Sequence, residues 1–206
     1  MKQELINLEN KIIDKDIYYK EGNKKIILTS PHTMKQIKSD GTIKLSEPFT
    51  KAINMYISNK LNTYSLIKIN DTGIDPNSET EEEFKIKLLK IIKDNDIKLV
   101  IDIHGASSDR PFDVEFGTLN NLSADYSIIK ELKEAFEENG INNIEINNPF
   151  KGGGITKYIY GNTEIDVIQI EINGNYRNPE NGDKIILIVN SLIKFIEQYD
   201  IITKGD

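Results

Sequence analysis

The chain reads Ile97-Lys-Leu-Val-Ile-Asp-Ile-His-Gly-Ala-Ser-Ser-Asp-Arg110 at the stretch that decides its fold. This apolar, β-branched run breaks at a glycine into small polar residues, a pattern typical of a buried strand that ends in a functional loop. Residues two apart lie on the same face of a strand, so Asp102 and His104 should point the same way. The stretch therefore predicts a polar site beyond the carboxyl end of a core strand.

The other histidine of the chain has a similar position. His32 follows the apolar run 25–30 and Pro31, which favours an extended conformation for the residue before it. Ligands of open α/β sheets bind at the carboxyl ends of the strands. We therefore expect His32 and His104, the two histidines of the chain, to belong to one site.

Apolar runs with strand spacing alternate with amphipathic helical patterns along the chain. This alternation predicts an α/β sandwich with a mixed, mainly parallel sheet, in a single domain of residues 1–206. The predicted strands are 25–30, 64–69, 97–103, 113–118, 141–147 and 166–172, with a short strand or edge hairpin before Gly22. The predicted helices are one opened by Glu47-Pro48, one that follows the capping box Ser78-Glu79-Thr80-Glu81, and those at 124–138 and 183–199; segments 151–157 and 174–182 are predicted loops.

Composition excludes several classes of function. The chain has 26 basic and 33 acidic residues, a net charge of −7, and no basic block, which argues against a nucleic-acid partner. No apolar run reaches the roughly 18 residues that a membrane span needs, and no secretory signal is evident, so we expect a cytoplasmic protein. Cysteine is absent, so a transition-metal site must use His, Asp or Glu.

Two histidines and one carboxylate form a common catalytic zinc set, which leaves a fourth position for water. Glu47 is the best candidate for the third ligand of His32 and His104, since it follows His32 closely and heads a predicted helix, although other carboxylates remain possible. Asp102 could instead orient a ligating imidazole. The sequence thus predicts one Zn²⁺ per chain.

Glu171 is the candidate general base. It lies between Ile170 and Ile172 in a predicted strand, and Gln169 and Asn173 share its face. A buried glutamate needs a partner, and a glutamate beside a catalytic metal takes a proton from the attacking water. The alternative is an edge-strand glutamate that faces solvent.

Four further residues are candidates for substrate binding. Arg110 and Arg177 are the only arginines of the chain, and a guanidinium binds a carboxylate through two parallel hydrogen bonds. Thr156 and Lys157 follow three consecutive glycines, 152–154, which could let the backbone approach a substrate. A plain surface ion pair and a flexible turn are the alternatives.

Five segments together resemble the N-formylglutamate amidohydrolase family, relatives of the zinc carboxypeptidases and aspartoacylases. They are Ser30-Pro31-His32, Glu47, Ile101-Asp-Ile-His-Gly105, Gly152-Gly-Gly-Ile-Thr-Lys157 and Gln169-Ile-Glu-Ile-Asn173. The resemblance implies a three-layer α/β/α fold of the phosphorylase/hydrolase type and a zinc-dependent amidohydrolase. It assigns metal binding to His32, Glu47 and His104 and the general base to Glu171, with Arg110 facing the site.

The sequence predicts cleavage of the N-acyl amide of a small amino-acid-like substrate. Gln169, Asn173, Arg177, Lys157 and Thr156 are expected to contact that substrate, with Arg110 in the catalytic site. Two alternatives remain at this stage: a zinc peptidase that acts on short peptides, and a non-catalytic protein that binds a small molecule on the same fold. The oligomeric state is not predicted.

Overall fold

The computed structural model describes residues 1–37, 40–78 and 81–202, with the side chains of 200–202 left out. Its main sheet has seven strands, and a two-stranded hairpin, β3 and β4, stands apart from it. The strands are β1 (Ile17–Lys20), β2 (Ile26–Ser30), β3 (Gln36–Ile37), β4 (Ile43–Lys44), β5 (Tyr64–Lys68), β6 (Leu99–Ala106), β7 (Val114–Gly117), β8 (Ile144–Ile146) and β9 (Asp166–Asn173). The helices are α1 (Lys2–Glu9), α2 (Thr50–Leu61), α3 (Glu83–Asn95), α4 (Tyr126–Glu137), α5 (Gly154–Tyr160), α6 (Gly174–Arg177) and α7 (Lys184–Ile202).

The strand order of the main sheet is β1-β5-β2-β6-β9-β7-β8. The central strands β5, β2, β6 and β9 run parallel, and β8 is parallel to β7. Only the pairs β1 with β5 and β7 with β9 are antiparallel. The predicted mixed, mainly parallel sheet is therefore confirmed.

Two apolar layers cover the sheet, which confirms the α/β/α sandwich. On one face, α1, α2, α4 and α7 pack against the side chains of residues such as Ile101, Ile103 and Ile170. On the opposite face, α3 and α5 pack against Ile27, Val100 and Val167. Alternate residues of one strand supply both cores, since successive side chains of a strand point to opposite faces. No helix in the described part of the chain combines the length and apolarity needed to cross a membrane.

Several element boundaries differ from those expected. The N-terminal segment forms helix α1, which buries Leu5, before the predicted edge strand β1. Helix α2 begins at Thr50, three residues after Glu47, because Phe49 adopts a left-handed conformation. Strand β6 continues to Ala106, since its pairing with β9 runs to the end of that strand. The predicted loops at 151–157 and 174–182 contain the starts of helices α5 and α6.

The predicted site residues of β6 and β9 lie on the face that carries α3 and α5, beyond the buried apolar residues that those helices cover. Asp102 and His104 of β6 are on this face, and so are Gln169 and Glu171 of β9. His104 is the direct register partner of Glu171. The sheet thus brings the predicted metal ligand His104 and the predicted general base Glu171 together at its carboxyl edge.

Candidate metal centre

His32 and Glu47 are 15 positions apart in sequence and adjacent in the structure. The chain between them leaves the sheet as the β3–β4 hairpin and returns, and the backbone N–H of Glu47 donates to the carbonyl of His32 at 2.8 Å. This hydrogen bond joins the two ends of the segment that contains the hairpin. It places the Glu47 carboxylate next to the imidazole that follows β2.

The carboxylate of Glu47 lies between the two histidines. Its Oε1 is 2.9 Å from His32 Nδ1, and its Oε2 is 3.5 Å from His104 Nδ1. The two imidazole rings meet edge to face with 4.8 Å between centroids. All three side chains are buried, with 2%, 4% and 1% exposure for His32, Glu47 and His104.

The far nitrogen of each imidazole is held by a second carboxylate. His32 Nε2 lies 2.7 Å from Asp75 Oδ1, and His104 Nε2 lies 2.9 Å from Asp102 Oδ2. Asp102 is fixed in turn by the hydroxyl of Thr29, which donates to its other oxygen at 2.5 Å. A carboxylate on Nε2 favours the tautomer that leaves Nδ1 free to bind a metal. Both histidines therefore present Nδ1 toward Glu47.

This arrangement fits a divalent transition-metal ion. His32, Glu47 and His104 each offer one ligand atom, and these atoms lie within 4.8 Å of one another. Two imidazole nitrogens and one carboxylate oxygen are the donor set of many catalytic zinc sites. The cluster expected from the sequence is thus assembled, while the binding of an ion and its identity stay predictions.

Mutual attraction dominates the electrostatics of the cluster. Burial on its own would raise the pKa of Glu47, yet His104 and His32 hold that pKa well below its ordinary value. Burial likewise would lower the pKa of His104, but Asp102 and Glu47 raise it well above its ordinary value. The carboxylate of Glu47 therefore stays ionised between the two predicted imidazole ligands.

Glu171 faces the same space from β9. It is 7% exposed, and burial, more than any charged neighbour, raises its pKa. Its Oε1 accepts a hydrogen bond from Gln169 Nε2 at 2.9 Å, and Gln169 Oε1 accepts one from the backbone of Gly153 at 2.7 Å. Gln169 therefore links Glu171 to the glycine loop and fixes the direction of its carboxylate.

A cavity of about 280 Å³ joins these groups. Its lining includes His32, His104 and Glu171 together with Phe150 and Lys151. The two predicted imidazole ligands and the predicted base therefore open into one space, as a hydrolytic site requires.

Arg110 and Asn173, two of the predicted site residues, lie near this cavity without lining it. The guanidinium of Arg110 stacks over the ring of Phe150, 4.9 Å from its centroid, on an exposed loop. The amide of Asn173 donates to the carbonyls of Arg110 and Phe112 at 3.1 and 2.9 Å. Asn173 thus holds the loop that carries Arg110, and direct contact of either residue with substrate stays a prediction.

The other three predicted substrate contacts are placed further from the cluster. Arg177 donates to the backbone carbonyls of Ile172, Ala106 and Pro48, and it lines a neighbouring cleft of about 460 Å³. Thr156 is fully buried in α5, and Lys157 is exposed on the same helix. The structure brings none of them to the wall of the metal-site cavity, so their predicted contact with substrate gains no support from it.

The triple glycine packs against a neighbouring loop, and Gly152 and Gly153 also line the cavity, so the expected approach of this backbone to substrate stays a prediction. A Cβ atom on Gly153 would stand 2.2 Å from Asn77 Nδ2, and one on Gly154 would stand 2.0 Å from the carbonyl of Ser78. The backbone of Gly154 donates to the carbonyl of Asn77, and that of Ile155 donates to its side chain. The glycines therefore let the loop that carries Asp75 pack directly on the start of α5.

Sequence reasoning missed two charged contacts of the cluster. Asp75 follows β5, a parallel neighbour of β2, so its place at the carboxyl edge of the sheet could have been inferred from the strand order. Lys44 Nζ lies 2.8 Å from Glu47 Oε1, and the attraction of Glu47 outweighs burial and raises the pKa of Lys44. No pattern in the sequence signals that the β3–β4 hairpin turns this lysine back toward the site.

Comparison with known proteins finds one family model that matches part of the chain and several solved structures with a similar fold. Residues 87–176 match the N-formylglutamate amidohydrolase family. The fold is similar to that of an N-formylglutamate amidohydrolase from Ralstonia eutropha JMP134, with a TM-score of 0.69 and 12% identity over 93% of this chain and 99% of that chain. It is also similar to a bacteriophage poly-gamma-glutamate hydrolase, with a TM-score of 0.62 and 12% identity over 92% of both chains. No curated protein matches the sequence.

These findings confirm the family resemblance that the motifs indicated, and they support a hydrolase of amide bonds. At 12% identity the structural similarity establishes the fold alone. The matched range includes His104 and Glu171, whereas His32 and Glu47 precede it. The assignment of the complete cluster therefore depends on the geometry of this chain.

Proposed function

We propose that this chain, whose residues 87–176 match the N-formylglutamate amidohydrolase family, is a metal-dependent amidohydrolase. Its substrate would be a small amino-acid-like molecule that carries an N-acyl amide. One observation carries the proposal: His32, Glu47 and His104 converge, and Glu171 opens into the same cavity.

His32 Nδ1, His104 Nδ1 and the carboxylate of Glu47 would hold one Zn²⁺. When bound, this ion would polarise the scissile carbonyl and make water more acidic. Asp75 and Asp102 keep both imidazoles in position, because each accepts a hydrogen bond from an Nε2–H.

Glu171 would act as general base and then as general acid. Its carboxylate takes a proton from the water that attacks the carbonyl carbon and delivers it to the leaving nitrogen as the C–N bond breaks. The raised pKa of Glu171, which burial causes, suits this exchange, since an effective base titrates closer to neutral pH. Gln169 donates a hydrogen bond to Oε1 of this carboxylate, which leaves Oε2 as the oxygen that takes the proton.

The cavity favours a small substrate. Its volume of about 280 Å³ lies just below the range of about 300 to 1,000 Å³ found for ligand pockets. Lys44 and Lys151 line it, and Arg110 stands over Phe150 at its wall. These cations would attract a carboxylate of the substrate, and the exposed Arg110 could bind it with two parallel hydrogen bonds.

The test is a panel of N-formyl and N-acetyl amino acids beside short peptides, assayed with zinc present. We expect release of formate or acetate by the wild type and a loss of about 10²- to 10⁴-fold in kcat for Glu171→Gln, with bound metal unchanged. The exposed Glu164→Gln variant serves as the control and should retain full activity.

The panel also separates the two alternatives. Cleavage restricted to peptides would indicate a peptidase with the same metal chemistry. Binding of an acyl amino acid without turnover, with zinc bound, would indicate a binding protein and would overturn the proposal.

A further inference from the structure

Glu115 is a buried carboxyl group that the proposed mechanism does not use. It lies on β7 with 0% exposure, on the face of the sheet that carries Glu171. Its register partner on β9 is Glu171, and its register partner on β8 is Glu145. Three glutamates therefore stand side by side across adjacent strands, and direct neighbours of this kind have Cβ atoms about 5 Å apart.

Only one oxygen of the Glu115 carboxyl has a partner in the described part of the chain. Oε1 accepts the backbone N–H of Phe150 at 2.5 Å, while Oε2 is buried without a hydrogen bond. Burial raises the pKa of Glu115 to about 7, and Glu171 and Glu145 add to this effect against the backbone N–H groups of Phe150 and Asn148. A proton on Oε2 removes the cost of a buried charge and leaves Oε1 as an acceptor.

The partner of Glu115 belongs to the wall of the metal-site cavity. This wall, residues 149–153, faces His32, His104 and Glu171. Gly153 is attached through its N–H to Gln169, and Phe150 is attached through its N–H to Glu115. Lys151 stands between the two attachments with an exposed side chain. Both anchors of the wall are polar side chains of the sheet: Gln169 donates a hydrogen bond to Glu171, and Glu115 is the register partner of Glu171 on β7.

We propose that Glu115 is a positioning residue for the amide hydrolysis proposed above, on which this inference rests. It fixes Phe150 and Lys151 opposite the metal ligands without touching the substrate. Position 115 requires a side chain of this length that carries a hydrogen-bond acceptor for the N–H of Phe150. A glutamine there can keep the bond to Phe150, whereas an apolar side chain of similar size cannot.

Two variants, Glu115→Gln and Glu115→Met, test this role through hydrogen exchange of the Phe150 amide and through kinetics. Glu115→Met should speed exchange of that amide about tenfold, as the loss of one hydrogen bond to a buried acceptor predicts. It should also raise KM by about fivefold or more while kcat changes less than about twofold, because the wall binds substrate and does not carry out chemistry. Glu115→Gln should restore both values to near those of the wild type.

Glu131→Met is the matched control. Glu131 on α4 also has a buried carboxylate oxygen without a partner, but it is remote from the wall, so exchange at Phe150 and KM should not change. Wild-type exchange and KM in Glu115→Met would overturn the positioning role. The wild type could fail to hydrolyse any substrate while Glu115→Met still speeds hydrogen exchange at the backbone N–H of Phe150. That result would refute the proposed function but would support the role of Glu115 in holding the wall.

Discussion

At the scale of single residues, the centre is defined by which nitrogen of each histidine is free. Asp75 and Asp102 occupy the two Nε2 atoms, so both Nδ1 atoms point at Glu47. The orientation of each imidazole is thus set by residues that would never touch a metal or a substrate. Their loss should be visible in the affinity for metal before it is visible in the fold.

Asp102→Asn should lower zinc affinity by about 10- to 100-fold. The amide can place an N–H toward His104 Nε2, which would then have to accept, and the proton would move to Nδ1 and block the metal. Competition with a chromogenic chelator measures the affinity. Asp109→Asn, on an exposed loop, is the control. An Asp102→Asn variant that binds zinc as tightly as the wild type would refute the orienting role.

The raised pKa of Glu115 predicts how the free energy of unfolding depends on pH. Its pKa in the folded chain is about 7 against an ordinary 4.5, so between these values the folded state binds more protons than the unfolded state. The free energy of unfolding of the wild type should therefore fall as the pH rises through this window. The free energy of unfolding of Glu115→Gln should not fall in this way, because glutamine does not titrate. In urea denaturation, its stability relative to the wild type should therefore improve from pH 5 to pH 8. A constant difference between the two proteins would show that Glu115 is not protonated in the folded state.

At the scale of elements, the site depends on loops that cross at close range. The loop before α3 carries Asp75 and Asn77 and passes over Gly153 and Gly154 at the start of α5. Any side chain on Gly154 would meet backbone carbonyls that cannot rotate away. The geometry of His32 is therefore coupled to a helix that it never contacts.

Gly154→Ala should destabilise the chain by about 2 to 3 kcal/mol, since overpacking against backbone forces a shift of the chain. It should also weaken zinc binding, because the displaced loop moves Asp75 away from His32. Gly161→Ala is the control: that glycine ends α5 in a right-handed conformation, and its nearest neighbour would be 3.2 Å from the new Cβ. Denaturation midpoints and zinc affinities of the two variants provide the comparison. Equal stability of both would contradict the close crossing.

Helix starts were harder to predict than strands. The capping box expected at Ser78-Glu79-Thr80-Glu81 is not the start of α3: Glu79 and Thr80 lie outside the described residues, and Glu82 caps the helix by accepting the N–H groups of Phe84 and Lys85. Several glutamates lie in this segment, and the local sequence does not show which of them caps the helix. Helix α5 was missed because three glycines indicate a loop unless the partner loop that needs them is known.

At the scale of the whole molecule, one rule accounts for what the sequence could predict. The carboxyl ends of parallel strands meet at one edge, so polar residues after β2 and β6 and on β9 could be assigned to a common site. The structure brings His32, His104 and Glu171 together as that rule predicts, and Glu47 was expected from its closeness to His32 in sequence and its place at the head of a predicted helix. The rule does not predict the position of Lys44, because the β3–β4 hairpin that brings this residue to the site lies outside the main sheet.

The same rule says less about the predicted substrate contacts, which stay predictions. A scarce arginine near the site suggested a carboxylate clamp, but Arg177 makes three hydrogen bonds to backbone carbonyls where β6, β9 and the turn before α2 meet. Sequence shows that a residue is near an edge of the sheet, and only packing shows which direction its side chain takes. The substrate side of the cavity is therefore the part that experiment must define.

The most direct measurement is the metal content of the purified, tag-free chain by elemental mass spectrometry, beside its His104→Ala variant. The account predicts about one zinc per chain in the wild type and almost none in the variant, because a site with two protein ligands loses most of its affinity. Far-ultraviolet circular dichroism should show that both proteins are folded. A folded wild type that takes up no zinc, nickel, cobalt, manganese or iron when each is supplied would contradict the central claim that His32, Glu47 and His104 form a metal centre.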